Sequence, residues 1–442
     1  MPNGATATDA KAAVNPAETK ELAAWALFDF ANSGYTTVVL TTIYSAYFVG
    51  VVAAGVEARS PGSGTFLWTL STGLANLLVL LAAPVIGAIA DHRASKKPFL
   101  LVSAVACVIG TALLAIPGQD QLYWAMLLLV VATVAFAMGE NLIAAFLPEI
   151  AHPDNMGKVS GYGWALGYFG GLLVLAASLG YINWAEAQGY GATHYVPVSL
   201  LITAVIFALS ACPTFIWLRE RAQPQAQKPE VSYIRLGLAQ VKRTLAHAAH
   251  LRDLFRFLWC LTLFQAGVAT VIVIAAIYAQ EVMAFTATEL IILIMVVNLT
   301  AALGAFVFGF AQDKFGSVRS LTGGLTVWLL AIAVALVADE KRDLWIAGNL
   351  IGLAMGATQA GGRALIGQLT PAHRNAEIFG LWGLASRAAA IIGPISYGVI
   401  SGVSGGNHHY AMLSTVAFFV AGMALLFTVD EQRGREAARQ LS

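Results

Sequence analysis

The feature that most constrains this chain is a series of twelve apolar runs. A helix needs about 20 predominantly apolar residues to cross the hydrocarbon core of a bilayer. The runs occupy 22–52, 65–90, 98–116, 121–147, 158–182, 197–218, 253–280, 287–312, 318–338, 343–368, 377–400 and 408–429. Charged residues make up 11% of the 442 residues, whereas a soluble domain carries roughly 25%, so much of the surface must face lipid. The sequence therefore predicts an all-α membrane protein with twelve transmembrane helices, numbered here as spans 1–12.

The longest polar gap divides the chain into two sets of six spans. We expect an N-terminal six-helix bundle at 22–218 and a C-terminal bundle at 253–429. A disordered cytoplasmic N-terminus at 1–21, a cytoplasmic linker at 219–252 and a cytoplasmic tail at 430–442 complete the chain. Apolar residues at helical spacing in the linker predict an amphipathic helix at the membrane surface, or a simple tether.

The distribution of Lys and Arg indicates the orientation. Loops on the side of both termini hold twenty of these residues, and the opposite loops hold three: Arg59, Lys341 and Arg342. Cytoplasmic loops are enriched in basic residues. Both termini and the linker are therefore expected in the cytoplasm.

Unusual residues recur at matching places in the two halves. The matched positions are Asn76 with Asn298, Gly87 with Gly309, Asp91 with Asp313, Glu140 with Arg363, and Asn32 with Gln265. The halves are thus predicted to be related copies with the same orientation. Transporters built from such repeats bind their substrate near the bilayer midplane, between the halves.

Several segments carry a family resemblance. GAIADHRASKK (87–97) and GFAQDKFGSVR (309–319) resemble the loop motif that the major facilitator superfamily carries between spans 2 and 3 and between spans 8 and 9. WALFDFANSGY (25–35), SGYGWALGYFGG (160–171) and GLWGLASRAAAIIGP (380–394) resemble the branch that includes the autophagy-linked vacuolar amino-acid effluxers of fungi. The resemblance implies the major facilitator fold, with two pseudo-symmetric six-helix bundles, and secondary transport of an amino acid or similar small metabolite. We expect the location to be a bacterial inner membrane.

The same resemblance implies a gating latch in each motif. Gly87 and Gly309 allow a neighbouring helix to approach closely. Asp91 and Asp313 are expected to face the positive N-termini of spans 11 and 5, each in the other half, and so to stabilise the outward-facing state. The basic residues expected to complete the latches are Arg93, Lys97, Lys314 and Arg319. The alternative is that these loop charges only contact lipid headgroups.

Four charged residues fall well inside the spans: Asp29, Glu140, Arg363 and Arg387. Each would cost at least about 2.5–3.5 kcal/mol near a bilayer centre, so we expect them to face protein or water. Glu140 and Arg363 can pair across the interface as a cytoplasmic gate, or each can hold one end of a zwitterion. Arg387 is the expected anchor for a substrate carboxylate, because a guanidinium binds a carboxylate with two hydrogen bonds.

Burial favours the neutral form of a carboxyl group, whereas a nearby arginine favours the charged form. Glu140, and after it Asp29, is therefore a candidate carrier of a coupling proton. The alternative is a static ion-pair network that fixes the register of the helices. Uncharged candidates for the same cavity are Asn32, Tyr35, Asn141, Gln265, Gln359 and Trp382.

Other classes of function lack their motifs. The chain has no phosphate-binding loop, no Ser–His pairing in the spans and no acidic or Cys partners near His408 and His409, so we expect no enzyme, cofactor or metal site. A net charge of +1 gives no field that attracts nucleic acid. We therefore predict a monomeric carrier of a small polar, zwitterionic solute in the lipid bilayer, with the proton as candidate coupling ion. The alternatives are a non-transporting receptor or scaffold with this fold, a channel, or an exchanger of another organic solute.

Overall fold

The structure is a computed structural model that describes residues 18–60, 63–118, 121–222, 235, 237–239, 241–242, 250–281, 283, 285, 287–403 and 408–441. Among these residues, twelve long helices occupy the places of the twelve predicted spans. They are α1 Thr19–Tyr35, α2 Ser63–Arg93, α3 Lys96–Leu113, α4 Leu122–Ala144, α5 Met156–Ala187, α6 Ala192–Trp217, α7 Arg252–Glu281, α8 Ala287–Phe315, α9 Ser317–Leu336, α10 Lys341–Leu369, α11 Asn375–Val403 and α12 His408–Leu426. A further helix, α13, covers Glu431–Gln440.

The helices differ in how apolar they are. Ten of the described helices are long and apolar enough to cross a membrane, and an eleventh is reached if Thr415–Leu426 is joined to α13, which is bent from it by 65°. Helix α10 has 29 residues but is not among the ten, and its apolar sequence contains the polar residues Asn349, Gln359 and Arg363. Its last ten residues, from Ala360 to Leu369, are all buried. Arg363 and Gln368 therefore face protein.

Span 1 is irregular beyond α1. The chain continues as a π-helix at Thr36–Thr41, a short α-helix at Ile43–Tyr47 and a second π-helix at Phe48–Val52. Thr42 donates its hydroxyl hydrogen bond to the carbonyl oxygen of Thr37 at 2.5 Å, five residues back. Threonine hydroxyls that bond to backbone carbonyls compete with the regular helix pattern and bend it.

The two halves meet at the end of the molecule that carries the termini, which we call the predicted cytoplasmic end. Helix α2 packs against α11, and α5 packs against α8. Glycines lie at the tightest points: a Cβ on Gly87 would overlap the carbonyl oxygen of Ala376, and a Cβ on Gly309 would lie 2.8 Å from the carbonyl oxygen of Gly157. Small residues at these positions allow the backbones to touch.

Helix α5 also packs closely on α1. Three glycines of α5 at intervals of four residues lie against three polar residues of α1 with the same interval. The pairs are Gly163 with Asp29, Gly167 with Ser33, and Gly171 with Thr37. Residues four apart share one face of a helix, so the glycine spacing matches the polar spacing.

Parts of the predicted organisation lie outside the described residues. These are the N-terminal segment 1–17 and most of the linker between 223 and 249, including most of its proposed amphipathic helix. The described linker positions 235, 237–239 and 241–242 are helical, and Gly237 lies against Val85 and Ile89 of α2. The tail forms α13, and the Asp430 side chain caps it by accepting hydrogen bonds from the backbone N–H groups of Gln432 and Arg433.

Candidate functional site

An ion pair joins the two halves through Asp29 on α1 and Arg363 on α10. Nη1 of Arg363 donates to Oδ2 of Asp29 at 2.6 Å. The other guanidinium nitrogens donate to Ser160 on α5, Nε to the hydroxyl at 3.1 Å and Nη2 to the carbonyl oxygen at 2.9 Å. The Arg363 side chain is only 3% exposed. Its charge is therefore compensated by protein groups, as a buried charge requires.

The surroundings of Arg363 are closely fitted to its guanidinium. The guanidinium carbon lies 4.7 Å from the ring centroid of Trp25 and 5.3 Å from that of Trp164. Cations over aromatic faces are attracted to them, more strongly where water is excluded. A Cβ on Gly163 would overlap both the Asp29 carboxylate and the guanidinium, so glycine is needed there for the pair to form.

A second ion pair crosses the same interface through Glu140 on α4 and Arg387 on α11. Nη2 of Arg387 donates to Oε2 of Glu140 at 3.0 Å, and Nη1 donates to Oδ1 of Asn76 on α2 at 3.3 Å. The side chains are 17% exposed for Arg387 and 30% for Glu140. This pair is thus more accessible than the pair of Asp29 and Arg363.

The observed pairing corrects the expectation that Glu140 pairs with Arg363. Helix α4 packs against α2 and α11, whereas α10 packs against α5 and α8. The two residues therefore face different helices, although they occupy equivalent repeat positions. Glu140 nevertheless lies within electrostatic range of Asp29 and Arg363 as well as Arg387. The four charges form one cluster between the halves.

Buried polar atoms without partners surround this cluster. Among the described residues, Asn32 Oδ1, Asn141 Nδ2, Trp164 Nε1 and Arg387 Nε have no hydrogen-bond partner. Asn32 follows Asp29 by one turn, Asn141 follows Glu140 and touches Gly383, and Trp164 stacks over Arg363. A buried polar atom left unpaired costs roughly 1–3 kcal/mol, so such atoms are uncommon. The cluster therefore has three spare donors and one spare acceptor.

The remaining uncharged candidates lie in different environments. Gln265 on α7 donates to Gln359 on α10 at 2.8 Å, so these two join helices of the same half. Tyr35 is fully buried, and its hydroxyl lies 2.8 Å from that of Thr133 on α4, which corrects its expected place in the cavity. Trp382 is also buried and packs edge-on against the neighbouring Phe379. The two aromatic side chains therefore belong to the packed interior.

The two motif aspartates, in the last turns of α2 and α8, contact helix N-termini of the opposite half. Asp91 accepts hydrogen bonds from the backbone N–H groups of Ala376 and Glu377, at 3.0 and 2.9 Å, where α11 begins. Asp313 accepts from Gly157 and Lys158, at 2.8 and 2.9 Å, where α5 begins. The helices are those that the motif resemblance implied. A carboxylate at a helix N-terminus satisfies free N–H groups and faces the positive end of the helix dipole.

The basic residues near these aspartates differ from the expected set. The cation beside Asp91 is Lys96, with Nζ 3.9 Å from Oδ1 and with Glu149 as a second partner. Lys97 instead donates to the carbonyl oxygen of Leu218 at 2.7 Å, and Arg93 is exposed. Of the corresponding residues in the second motif, Lys314 lies over the ring of Phe315 and Arg319 lines a surface cleft. Sequence spacing alone did not single out Lys96, which is 1% exposed.

Each half also carries a charged clasp that sequence reasoning missed. In the N-terminal half, Glu21 at the start of α1 pairs with Arg221 after α6 through two hydrogen bonds of 2.7 Å. In the C-terminal half, Asp253 at the start of α7 pairs with Arg433 after α12, again through two bonds of 2.7 Å. The acid before each arginine caps the third helix of its half: Glu220 accepts from Lys96 N–H, and Glu431 from Val318 N–H. In each half, a Glu precedes an Arg by one or two residues shortly after the sixth helix. This repeated pattern is the sequence signal from which the clasps could have been predicted.

Comparisons with known proteins agree with this architecture. The chain matches the family described as vacuole effluxer Atg22 like over residues 65–439. It is 26% identical to the uncharacterized MFS-type transporter YxiO of Bacillus subtilis over 429 residues, covering 96% of this chain and 97% of the relative. It is 22% identical to autophagy-related protein 22 of Kluyveromyces lactis over 406 residues, covering 85% and 81%.

The solved structure of the human organic anion transporter MFSD10 is similar in fold, with a TM-score of 0.70 and 14% sequence identity, covering 92% of this chain and 99% of that one. At this identity the likeness concerns the fold alone. The family match, in contrast, includes parts of both halves and both aspartate motifs. The chain therefore belongs to the Atg22-like family, and it is an integral membrane transporter with the major facilitator fold.

Proposed function

We propose that the protein is a secondary carrier of a small zwitterionic, amino-acid-like solute and works by alternating access. The observation that carries this proposal is the pair of ionic contacts across the interface, Asp29–Arg363 and Glu140–Arg387. Both acids belong to the N-terminal half and both arginines to the C-terminal half. Separation of the halves at this level breaks both contacts and leaves four charges without partners, unless a solute or water compensates them.

A zwitterion is suited to the more accessible pair. Its carboxylate can bind Arg387, whose Nε–H is unpartnered, and its ammonium group can bind Glu140. One solute molecule thereby replaces both partners of the ion pair and leaves no charge uncompensated. Asn141 Nδ2 and Trp164 Nε1 supply further donors, and Asn32 Oδ1 supplies an acceptor. Arg363 is a poorer site because its three nitrogens already have partners.

The aspartate contacts supply a gate in this proposal. Asp91 and Asp313 hold the N-termini of α11 and α5 at the predicted cytoplasmic end, where the glycine contacts close the interface. This arrangement corresponds to a state that is closed toward the cytoplasm and loads solute from the other side. Transport toward the cytoplasm, or away from it, requires these contacts to break together with the two ion pairs.

Glu140 is the proposed carrier of a coupling proton. Its carboxylate is more exposed than that of Asp29, 30% against 13%, so a proton from solution reaches it more easily. A proton on Glu140 weakens its attraction to Arg387 and frees the arginine for a solute carboxylate. Glu140→Gln should therefore lose accumulation driven by a pH gradient in proteoliposomes. Solute exchange should persist with weaker affinity, because the amide no longer carries the charge that pairs with the solute ammonium group. Accumulation that persists in this variant would exclude Glu140 as the proton site.

Counterflow in proteoliposomes tests the carrier proposal. Vesicles that contain the purified full-length chain are loaded with a mixture of unlabelled amino acids, and uptake of each labelled amino acid is followed. A carrier shows faster uptake when the solute is also present inside, whereas a receptor or scaffold shows no difference. Amino-acid methyl esters lack the carboxylate and N-acetyl derivatives lack the ammonium group. If the solute must be zwitterionic, neither derivative competes, and competition by both would refute the proposed chemistry.

The membrane and the assembly state are part of the same proposal. We place the carrier in a bacterial plasma membrane with both termini in the cytoplasm, because YxiO is bacterial and the basic residues lie on the side of the termini. One chain contributes both halves of the interface and all four charges, so a monomer is sufficient for transport.

A further inference from the structure

A cleft of about 700 Å³ lies at the predicted cytoplasmic end of the C-terminal half, away from the four central charges. Its walls come from the beginnings of α7 and α9, the end of α8, and the segment from the end of α12 into the first turn of α13. Arg256, Arg319 and Arg433 line it, together with Phe315 and Phe427. The transport proposal assigns no role to this cleft.

The three arginines of the cleft differ in whether a carboxylate compensates their charge. Arg433 is neutralised by its two hydrogen bonds to Asp253. Arg256 donates from Nη1 to the backbone carbonyl oxygen of Thr428 at 2.9 Å. It is also attracted by the Asp253 carboxylate, but both oxygens of that carboxylate already accept hydrogen bonds from Arg433. Arg319 is exposed, and no carboxylate in the described part of the chain forms an ion pair with it. Arg256 and Arg319 therefore present positive charge to the cleft.

The two acidic residues that line the cleft, Asp430 and Glu431, already have hydrogen-bond or ion-pair partners. Asp430 accepts hydrogen bonds from the backbone N–H groups of Gln432 and Arg433 at 3.0 Å. Glu431 accepts the N–H of Val318 at 2.5 Å through Oε1, and its Oε2 lies 3.6 Å from Arg435. Their charges are thus directed at helix termini and at another arginine. An anion that enters the cleft meets the two available guanidinium groups.

The rim of the cleft is apolar. Phe315 and Phe427 are 56% and 64% exposed, and they lie where α8 and α12 leave the predicted hydrocarbon layer. The Nζ of Lys314 lies 5.3 Å from the ring centroid of Phe315 and adds a further positive charge at the rim. A ligand with an anionic head and hydrocarbon chains matches both parts, because aromatic and basic residues at this depth contact headgroups and acyl chains.

We propose that this cleft binds an anionic phospholipid of the cytoplasmic leaflet, with the phosphate between Arg256 and Arg319 and the acyl chains along Phe315 and Phe427. A bound lipid joins α7, α9 and the α12–α13 junction. It therefore stabilises the docking of α13 against the end of the C-terminal half.

Lipid retention by the purified full-length protein tests this inference. Native mass spectrometry in detergent measures the binding of phosphatidylglycerol and of phosphatidylcholine to the wild type and to the double variant Arg256→Gln/Arg319→Gln. The matched control, Arg59→Gln/Arg342→Gln, removes two arginines from the opposite end of the molecule. Each basic residue near a headgroup strengthens lipid binding by about fivefold, so we expect the double variant to bind phosphatidylglycerol about 30-fold more weakly. The control should bind it as the wild type does.

Equal loss of phosphatidylglycerol in the two double variants, or equal binding of the two lipids by the wild type, overturns the proposal. The single variant Arg319→Gln is included because this exposed side chain can change without loss of a structural contact, and it should bind about fivefold more weakly. Thermal unfolding with sn-glycerol 3-phosphate, which has no acyl chains, separates a lipid from a soluble phosphate. Protection by this compound equal to that by phosphatidylglycerol also overturns the lipid assignment. None of these measurements depends on transport.

Discussion

Asp29 and Arg363 are 334 positions apart in the chain, yet their side chains lie 2.6 Å apart across the interface between the two halves. The Arg363 side chain is almost completely shielded from solvent. Removal of one partner from such a pair leaves a buried charge, which is strongly unfavourable. The pair therefore restrains the observed state, and any opening of the interface must compensate both charges.

The difference in exposure between the two ion pairs predicts a difference in stability. Asp29→Asn leaves Arg363 buried with Ser160 as its remaining partner, so we expect the free energy of unfolding to fall by about 3–5 kcal/mol. Glu140→Gln should cost clearly less, because Arg387 is 17% exposed and can be hydrated. Thermal and denaturant unfolding of the purified proteins in detergent measures both. A loss in Glu140→Gln that equals or exceeds that in Asp29→Asn contradicts this ranking.

The backbone contact at Gly87 predicts a strong effect of a single methyl group. In Gly87→Ala the Cβ meets the carbonyl oxygen of Ala376, so α11 must move away from α2 and the bonds to Asp91 must lengthen. We expect a lower unfolding temperature and slower solute exchange. Gly73→Ala on the same helix is the control, because nothing lies within 4 Å of its Cβ, and it should match or slightly exceed the wild-type stability. Similar behaviour of the two variants would show that the Gly87 contact is unimportant.

Tyr35 allows a test of structure without a change in the proposed solute site. Its hydroxyl pairs with Thr133, and its ring stacks on Phe136 with centroids 5.1 Å apart. Tyr35→Phe keeps the ring and removes the hydrogen bond, so the free energy of unfolding should fall by about 1 kcal/mol. The affinity for the solute in transport assays should not change. An altered affinity would instead place Tyr35 at the solute.

Properties that depend on local sequence were well predicted. Apolar run lengths predicted where the helices lie, and the repeated motifs indicated which helix N-termini Asp91 and Asp313 contact. The helix positions required only the local sequence, whereas the partners of the two aspartates came from the family resemblance of the motifs, which begin in the last turns of α2 and α8.

Contacts that depend on how each helix is rotated were not predictable in this way. The apolar runs place Glu140 in span 4 and Arg363 in span 10, but they do not indicate which neighbouring helix each side chain faces. The structure turns Glu140 toward α11 and Arg363 toward α1 and α5. Tyr35 shows the same limitation, because it lies in span 1 as predicted but its hydroxyl faces Thr133 on α4. The clasps of Glu21 with Arg221 and of Asp253 with Arg433 join residues 200 and 180 positions apart and require the folded bundle.

Counterflow by the Arg387→Gln variant tests the central claim most directly, because that claim assigns the solute carboxylate to the Arg387 guanidinium. The variant is compared in proteoliposomes with the wild type and with Arg342→Gln, in which a 76% exposed arginine at the opposite end of the molecule is replaced. The proposal predicts that trans-stimulated uptake of the accepted amino acid disappears in Arg387→Gln and is unchanged in Arg342→Gln, with equal amounts of folded protein in the vesicles. Uptake by Arg387→Gln with the wild-type rate and affinity would contradict the proposal.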